Sequence, residues 1–308
     1  MRQGARSAIA IGLALLLLVA GSGRLLADWR DDVKVLRIGF LASASPAADV
    51  ARLELFRAYL ETRLALPVEL VPATSYSALI DAEVSGRVQY AIHSAVSFTT
   101  ADALCKCVEA LVAPTAFDGS RGFYSVLLVR ADSPIRTLAE AQGSRLALTA
   151  EDSVAGRLVP LKAFTAAGID PATYFASLFA APGPVEAIAA LFDGRADVAV
   201  AWSSLAGDAA AGYSFGVLTR MVVEGRLTMD QVRIIWQSRL IPFGPHAVRT
   251  DMPSELKGLL GEALLAMATD APEVIDAVDR SGFGGGGFGA VSAGDYAVIE
   301  ELVAPPGG

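Results

Sequence analysis

The sequence predicts an α/β chain of two similar lobes, each built on a largely parallel sheet. Three observations predict it. Short apolar runs alternate with helical stretches from about residue 35 onward, the trace that strand–helix–strand units leave in a sequence. The same order begins again at Tyr124. A stretch in the first half can also be laid on one in the second at a fixed offset.

Val35 to Leu41 has the length and apolar content of a buried strand. Ser45-Pro46 then offers an N-cap and a first-turn proline, and Val50, Leu53, Phe56, Tyr59, Leu60 and Leu64 follow at helical spacing. Val68 to Val71 is a second strand, Ala78 to Val84 a helix closed by Gly86, and Tyr90 to His93 a third strand. In the second half Tyr124 to Val129 is a strand, Leu138 to Gln142 a short helix stopped at Gly143, and Arg145 to Thr149 a strand. Ser153 precedes a helix that runs through Ala167 and ends at Gly168. Glu186 to Phe192 is a helix, Ala196 to Ala201 a strand and Arg233 to Trp236 a late strand. Glu255 to Thr269 carries Leu256, Leu259, Leu260, Ala263, Leu264 and Met267 on one side of a helix. Gly284 to Gly287 is expected to be a flexible surface loop, because no strand precedes it and no Lys-Ser/Thr follows as a phosphate cradle would need.

The internal match lays Ala78–Ser94 on Glu186–Trp202, with Gly86 on Gly194, Arg87 on Arg195 and Ala91 on Ala199, an offset of 108. Each copy reads as helix, Gly-Arg turn, then a strand ending in polar residues. The strand ends His93-Ser94 and Trp202-Ser203-Ser204 would then lie at equivalent places. Ligands bind beyond the carboxyl ends of strands in open α/β sheets, and small-molecule sites concentrate at lobe interfaces.

The first 27 residues have the order of a secretory signal: Arg2 and Arg6, an apolar run from Ala8 to Ala20, then small residues up to Ala27. The run is shorter than the roughly 20 residues that span a bilayer, and no cysteine follows it for lipid attachment. Cleavage would remove Arg2, Arg6 and Arg24 with no acid, taking the formal charge from -8 to -11. So acidic a chain is a poor partner for nucleic acid or an anionic membrane. Cys105 and Cys107 are either a disulfide formed in an oxidising compartment or two buried thiols. Two Cys with His93 and His246, scattered, do not make a zinc or copper site. No His-Glu-x-x-His, Walker or calcium-loop pattern is present, and none of the four lysines follows a glycine-rich turn. The sequence therefore predicts no enzyme, no metal and no cofactor.

From Leu36 to Tyr296 the chain resembles the periplasmic substrate-binding proteins of phosphate, phosphite and phosphonate ABC importers. The segments that carry it are Leu36-Arg-Ile-Gly-Phe40, Tyr76-Ser-Ala-Leu-Ile80, Gly86–Ile92, Tyr124–Arg130, Ser153-Val-Ala-Gly156 with Leu158-Val-Pro160, and Ile235–Pro242 with Pro245. The resemblance implies two Rossmann-like lobes joined by a hinge, the type II periplasmic-binding architecture. Residues 28–123 with 245–308 would form one lobe and 124–244 the other. It implies a monomer that captures a small oxyanion or related solute between the lobes and delivers it to a permease in the inner membrane. A sensory or accessory binding protein is the alternative, and an exported enzyme on the same fold a weaker one.

The resemblance also nominates site residues. The family turn is Ser-Thr-Ser, whose hydroxyls and helix-start amides hold the anion; here it reads Ser153-Val154-Ala155. Each lost hydrogen bond to a charged group is worth on the order of 1.5–3 kcal/mol, so two lost would weaken oxyanion binding by roughly two to four decades. The family's His-Glu pair reads Val185-Glu186, so that His is absent too, and Arg157 could offer a compensating charge. Tyr76, His93 and Ser94 match first-lobe contacts, and Trp202 would suit an organic or cationic group. The expectation is a reversible binder of shifted specificity.

Overall fold

A computed structural model describes residues 29–278 and 285–303. The expected signal, residues 1–27, lies outside the described residues. Trp29–Asp32 is a single helical turn and belongs to a unit separate from Val35 onward. Among the described residues no helix is long and apolar enough to cross a membrane.

The elements from Val35 onward follow the sequence pattern closely in the first half. They are β1 (Leu36–Leu41), α1 (Pro46–Leu64), β2 (Val68–Ala73), α2 (Tyr76–Val84), β3 (Tyr90–Ile92), α3 (Ala95–Cys105) and β4 (Val108–Ala116). The chain then enters a second sheet with β5 (Gly122–Arg130), β6 (Arg145–Leu148), α4 (Val159–Ala166), β7 (Ser177–Ala180), α5 (Pro184–Phe192), β8 (Val198–Ser203), α6 (Val217–Val223), β9 (Val232–Gln237) and β10 (Ile241–Pro242). It returns to the first sheet with β11 (His246–Arg249), α7 (Ser254–Asp270), α8 (Pro272–Val278), β12 (Gly285–Ala290) and α9 (Ala297–Val303). In α1 the buried residues Leu53, Phe56, Leu60 and Leu64 recur at steps of three and four, the stripe the sequence shows. Burying each such side chain stabilises by about 1.5–3 kcal/mol.

The first sheet has strand order β12-β4-β11-β3-β1-β2 and the second β10-β5-β8-β6-β7, with β9 also on β5. The sheets are mixed, which corrects the largely parallel expectation. β1 pairs in parallel with β2 and β3, and β6 with β7 and β8. β11 runs antiparallel to β3 and β4, and β5 antiparallel to β8, β9 and β10. The reason is that β5 and β11 each follow a passage between sheets and enter their sheet from the opposite end.

The repeat is real and longer than the sequence match. α2 and α5, and the first residues of β3 and β8, start 108 residues apart. Gly86 and Gly194 both have φ near +70° (77° and 68°). The amide of Arg37 donates to Gln89 Oε1 at 3.0 Å, and that of Arg145, 108 residues on, donates to Asp197 Oδ2 at 2.9 Å. The N-cap positions Ser45 and Ser153 keep the same offset, although only the Ser153 side chain accepts a capping hydrogen bond.

One open alternative is decided and one local expectation changes. Cys105 and Cys107 form a disulfide, with Cα atoms 5.0 Å apart, across the end of α3. Of the expected loop Gly284–Gly287, Gly284 lies outside the described residues, and Gly285–Gly287 is not a loop but the start of β12, antiparallel to β4. A Cβ at Gly286 would lie 2.1 Å from the Ala116 carbonyl oxygen, so glycine serves close backbone approach here rather than mobility.

Candidate functional site

Two adjoining cavities open at the carboxyl ends of the first sheet. The smaller, about 320 Å³, is lined by the ends of β1 and β3 (Leu41, Ile92, His93), by Pro114 and by His246. The larger, about 660 Å³, is lined by the first turns of α3, by Phe123, by Asp152, Val154 and Leu158 from the second sheet's side, and by Ile241 and Pro242. Tyr76, Ser94, Phe243 and Gly244 line both. Gly244 belongs to the return passage, and a Cβ there would fall 2.0 Å from the His93 carbonyl oxygen. Only glycine lets that passage lie on the end of β3.

Ser94 lies two residues beyond β3 and caps α3. Its Oγ accepts from the Ser97 amide at 3.1 Å while Ser97 Oγ accepts from the Ser94 amide at 2.9 Å, a reciprocal capping box. Behind it lies a buried polar line. His93 Nδ1 meets Ser97 Oγ at 3.0 Å and His93 Nε2 meets Glu83 Oε2 at 2.6 Å. The side chains of His93 and Glu83 are both 0% exposed. His93 therefore touches the cavity without presenting its ring, and its reach into the site runs through Ser97 to Ser94. Glu83 Oε1 is buried with no hydrogen-bond partner among the described residues.

His246, opposite Ile92 in the sheet, has Nδ1 hydrogen-bonded to the Tyr90 hydroxyl and its ring edge-on to Phe288. Burial, with a smaller repulsion from His93, pushes the His246 pKa down to about 3. Burial also pushes Tyr90 well above its ordinary value, so the phenol donates and neutral His246 accepts at Nδ1.

On the opposite wall the expected helix after Ser153 is divided: Val154–Leu158 is a π turn and α4 starts at Val159. Pro160 has no N–H for the Gly156 carbonyl four residues back, and that carbonyl instead accepts from the Thr149 amide at 3.0 Å. The Leu158 amide reaches back to the Ser153 carbonyl at 3.0 Å. Ser153 caps the turn, its Oγ accepting from the Gly156 amide at 3.1 Å. Val154 lines the larger cavity, whereas Ala155 is buried with Val159, Ile241 and Ile299. Arg157 is half-buried in the same turn and does not line either cavity. Glu186 is exposed at the start of α5, away from both linings. Trp202 packs on Phe123, ring centroids 5.3 Å apart, and faces a separate cavity with Phe117 and Phe215.

The structure thus brings Tyr76, the His93 backbone, Ser94 and Val154 to the two adjoining cavities, whereas Ser153 and Ala155 line neither. Among the described residues lining the two cavities there is no Lys or Arg, and Asp152 is the one carboxylate. No group of three or more His, Cys, Asp or Glu among the described residues could hold a metal ion. The sequence did not single out Glu83, Ser97, His246 or Gly244. The signal available for Glu83 was a carboxylate inside an otherwise apolar helix face, ten residues before the histidine it meets.

A family model for ABC transporter phosphonate periplasmic substrate-binding proteins matches residues 38–296. The chain belongs to this family. It is 26% identical over 186 residues to the phosphate-import protein PhnD of Mycolicibacterium smegmatis, a match that spans 59% of this chain and 56% of that relative. Among solved structures it resembles XAC2383 from Xanthomonas citri bound to ATP (TM-score 0.59, 20% identity, 87% of this chain and 95% of that one). It also resembles PhnD1 from Prochlorococcus marinus in complex with methylphosphonate (TM-score 0.50, 17% identity, 87% and 97%). The mixed α/β fold with two sheets is that of the type II periplasmic binding proteins.

Proposed function

We propose that this protein is the solute-binding component of an ABC importer, and that its solute is a small organic oxyanion, a phosphonate or relative with an apolar or cationic substituent, rather than inorganic phosphate. The observation that carries this reading is the larger cavity: the starts of α3 and of the Val154 turn flank a space lined by Val96, Phe123, Val154, Leu158 and Ile241, by hydroxyls and by Asp152, with no Lys or Arg. Unsatisfied helix-start N–H groups favour one anionic end. Asp152 opposes a second negative charge and suits an ammonium, and the apolar wall suits an organic body.

Capture would work by closure of two lobes, 28–123 with 245–308 and 124–244, about the passages between β4 and β5 and between β10 and β11. Solute that touches both walls stabilises the closed form, and the permease recognises that form. The chain would act as a periplasmic monomer after loss of residues 1–27. The line Glu83–His93–Ser97 has the residue types of a hydrolytic triad, but Ser97 is 2% exposed and serves the capping box, which supports binding rather than catalysis.

A thermal-shift panel of phosphate, phosphite, methylphosphonate, 2-aminoethylphosphonate and methanesulfonate tests the reading. A ligand at 100 times its Kd adds about 2.7 kcal/mol of stability. The organophosphonates should stabilise most. Phosphate as the strongest stabiliser would overturn the specificity, and no response to any compound would overturn solute capture.

A further inference from the structure

We propose that the buried Glu83–His93 pair sets the direction of the hydrogen bond at Ser94, so that capture of an acceptor solute in the cleft is coupled to uptake of one proton by the pair. The proposal rests on the reading of the cleft as the solute site.

The donors and acceptors can be followed along the line. With His93 neutral, Nε2–H donates to Glu83 and Nδ1 accepts the Ser97 hydroxyl hydrogen. Ser97 Oγ then accepts from the Ser94 amide and from the Ser94 hydroxyl, at 2.9 and 3.0 Å. The Ser94 hydrogen points inward, and the cavity meets an acceptor. With a proton added to the pair, His93 Nδ1–H donates to Ser97 Oγ, which already accepts from the Ser94 amide. Both acceptor positions of Ser97 are then filled, and its own hydrogen turns to Ser94, whose Oγ and carbonyl lie at 3.0 and 3.2 Å. The Ser94 hydrogen is released into the cavity. A solute oxygen that accepts there is bound better by the protonated state, and binding draws the proton from solvent.

Three observations single out this line. Glu83 Oε1 is buried without a partner, so the pair is not a fully satisfied structural bridge. The second copy of the repeat places Leu191 and Ala201 at the positions of Glu83 and His93, both buried, so the fold itself does not require the pair. Ser94, at the end of the line, is one of the residues that line both cavities. The charged and titratable groups that face the pair are Arg249 and His246, both from β11. Arg249 Nη1 donates to the Glu83 and Val84 carbonyls at 2.7 and 3.0 Å while its other nitrogens hold Asp251. His246 is bonded to Tyr90 on β3, and the Phe98 ring of α3 lies against His93.

The test is calorimetric titration of methylphosphonate at pH 6 to 8, in two buffers of different ionisation enthalpy, which counts protons taken up. The proteins are the wild type, the double variant Glu83→Leu/His93→Ala, which carries the second copy's residues, and Ser97→Ala, which keeps the pair and cuts the line. The probe's own ionisation is common to all three and cancels in the comparison. The wild type should take up more protons than either variant, by as much as one, and its affinity should fall with rising pH more steeply, by as much as about tenfold per unit. Equal proton counts and parallel pH profiles would overturn the coupling while leaving solute binding intact. Binding by none of the three proteins would overturn the solute-site reading, and the coupling with it.

Discussion

The helix–turn–strand units at 78–94 and 186–202 occupy the same place in the two sheets, yet their interiors differ in kind. In the first, Glu83 and His93 meet in the core, and His246 and Tyr90 meet beside them. In the second, the matching positions hold Leu191 for Glu83, Ala201 for His93 and Val198 for Tyr90. The neighbour across the sheet changes likewise: His246 stands opposite Ile92, and Leu127 stands opposite Val200, its equivalent. One architecture is thus built once with apolar groups alone and once around two buried polar pairs. The apolar copy shows what the fold needs. The polar pairs of the other lie behind the cavities, which points to the site rather than to folding as their reason.

The comparison is broken or upheld most sharply by removing one partner of the Glu83–His93 pair. Loss of one member of a buried pair leaves the other uncompensated and typically costs 3–5 kcal/mol, whereas apolar replacement of both is often near neutral. Glu83→Leu and His93→Ala should each destabilise by about 3–5 kcal/mol in urea unfolding. The double variant should recover most of the loss. If the double variant loses the sum of the two, the second copy is no guide to the first.

Read between pH 7.5 and 4.5, a smaller effect comes from His246. Its pKa is about 3 in the folded protein against an ordinary 6.5, so between those values the unfolded chain binds a proton that the native ring refuses. Stability from this group is complete above about pH 6.5 and declines as pH falls, by about 1.4 kcal/mol per unit, until about pH 3. Urea midpoints at pH 4.5, 5.5 and 7.5 should show that slope in the wild type. His246→Leu, which installs the second sheet's residue, should reduce it. An unchanged slope would place the acid sensitivity elsewhere.

How much of this was legible in the sequence follows from periodicity. The α1 stripe and the apolar runs of β1, β6 and β8 announce themselves because burial imposes a spacing on side chains. α3 did not, because Val96, Phe98 and Leu104 stand among Ser, Thr and Ala without a continuous apolar stripe. β11 is four residues long, and β12 is made of glycines whose role is close approach, so neither leaves a pattern of side chains to read. In the site, Ser94 is legible as the polar end of a strand, while Tyr76 and Val154 are legible only through the family resemblance. Trp202, read as a strand end, and Glu186, read from the family's His-Glu pair, line neither cavity, since position in the chain does not fix where a side chain points. Glu83 was hidden because a helix reading records which positions are apolar and passes over the exception. Reading the two copies for their differences, rather than their likeness, exposes it.

The smallest expected effect concerns a position where the copies agree in geometry and differ in charge. Gln89 and Asp197 each accept the backbone N–H of the arginine at the start of the neighbouring strand, Arg37 in the second position of β1 or Arg145 in the first of β6. Asp197 also takes the Arg145 guanidinium at 2.9 and 2.7 Å, which lowers its pKa, while Arg37 turns to Glu69 at 2.9 Å. What the two sheets share is an acceptor for a strand amide, and the ion pair is an addition on a partly exposed surface, where salt screens it. Asp197→Gln keeps the acceptor and should move the unfolding midpoint little, and less at 1 M salt than at low salt. Asp197→Leu removes the acceptor and should cost clearly more at either salt concentration. If the two variants are equally destabilised, the charge rather than the shared acceptor holds this corner, and the second sheet depends on a carboxylate where the first uses the neutral Gln89.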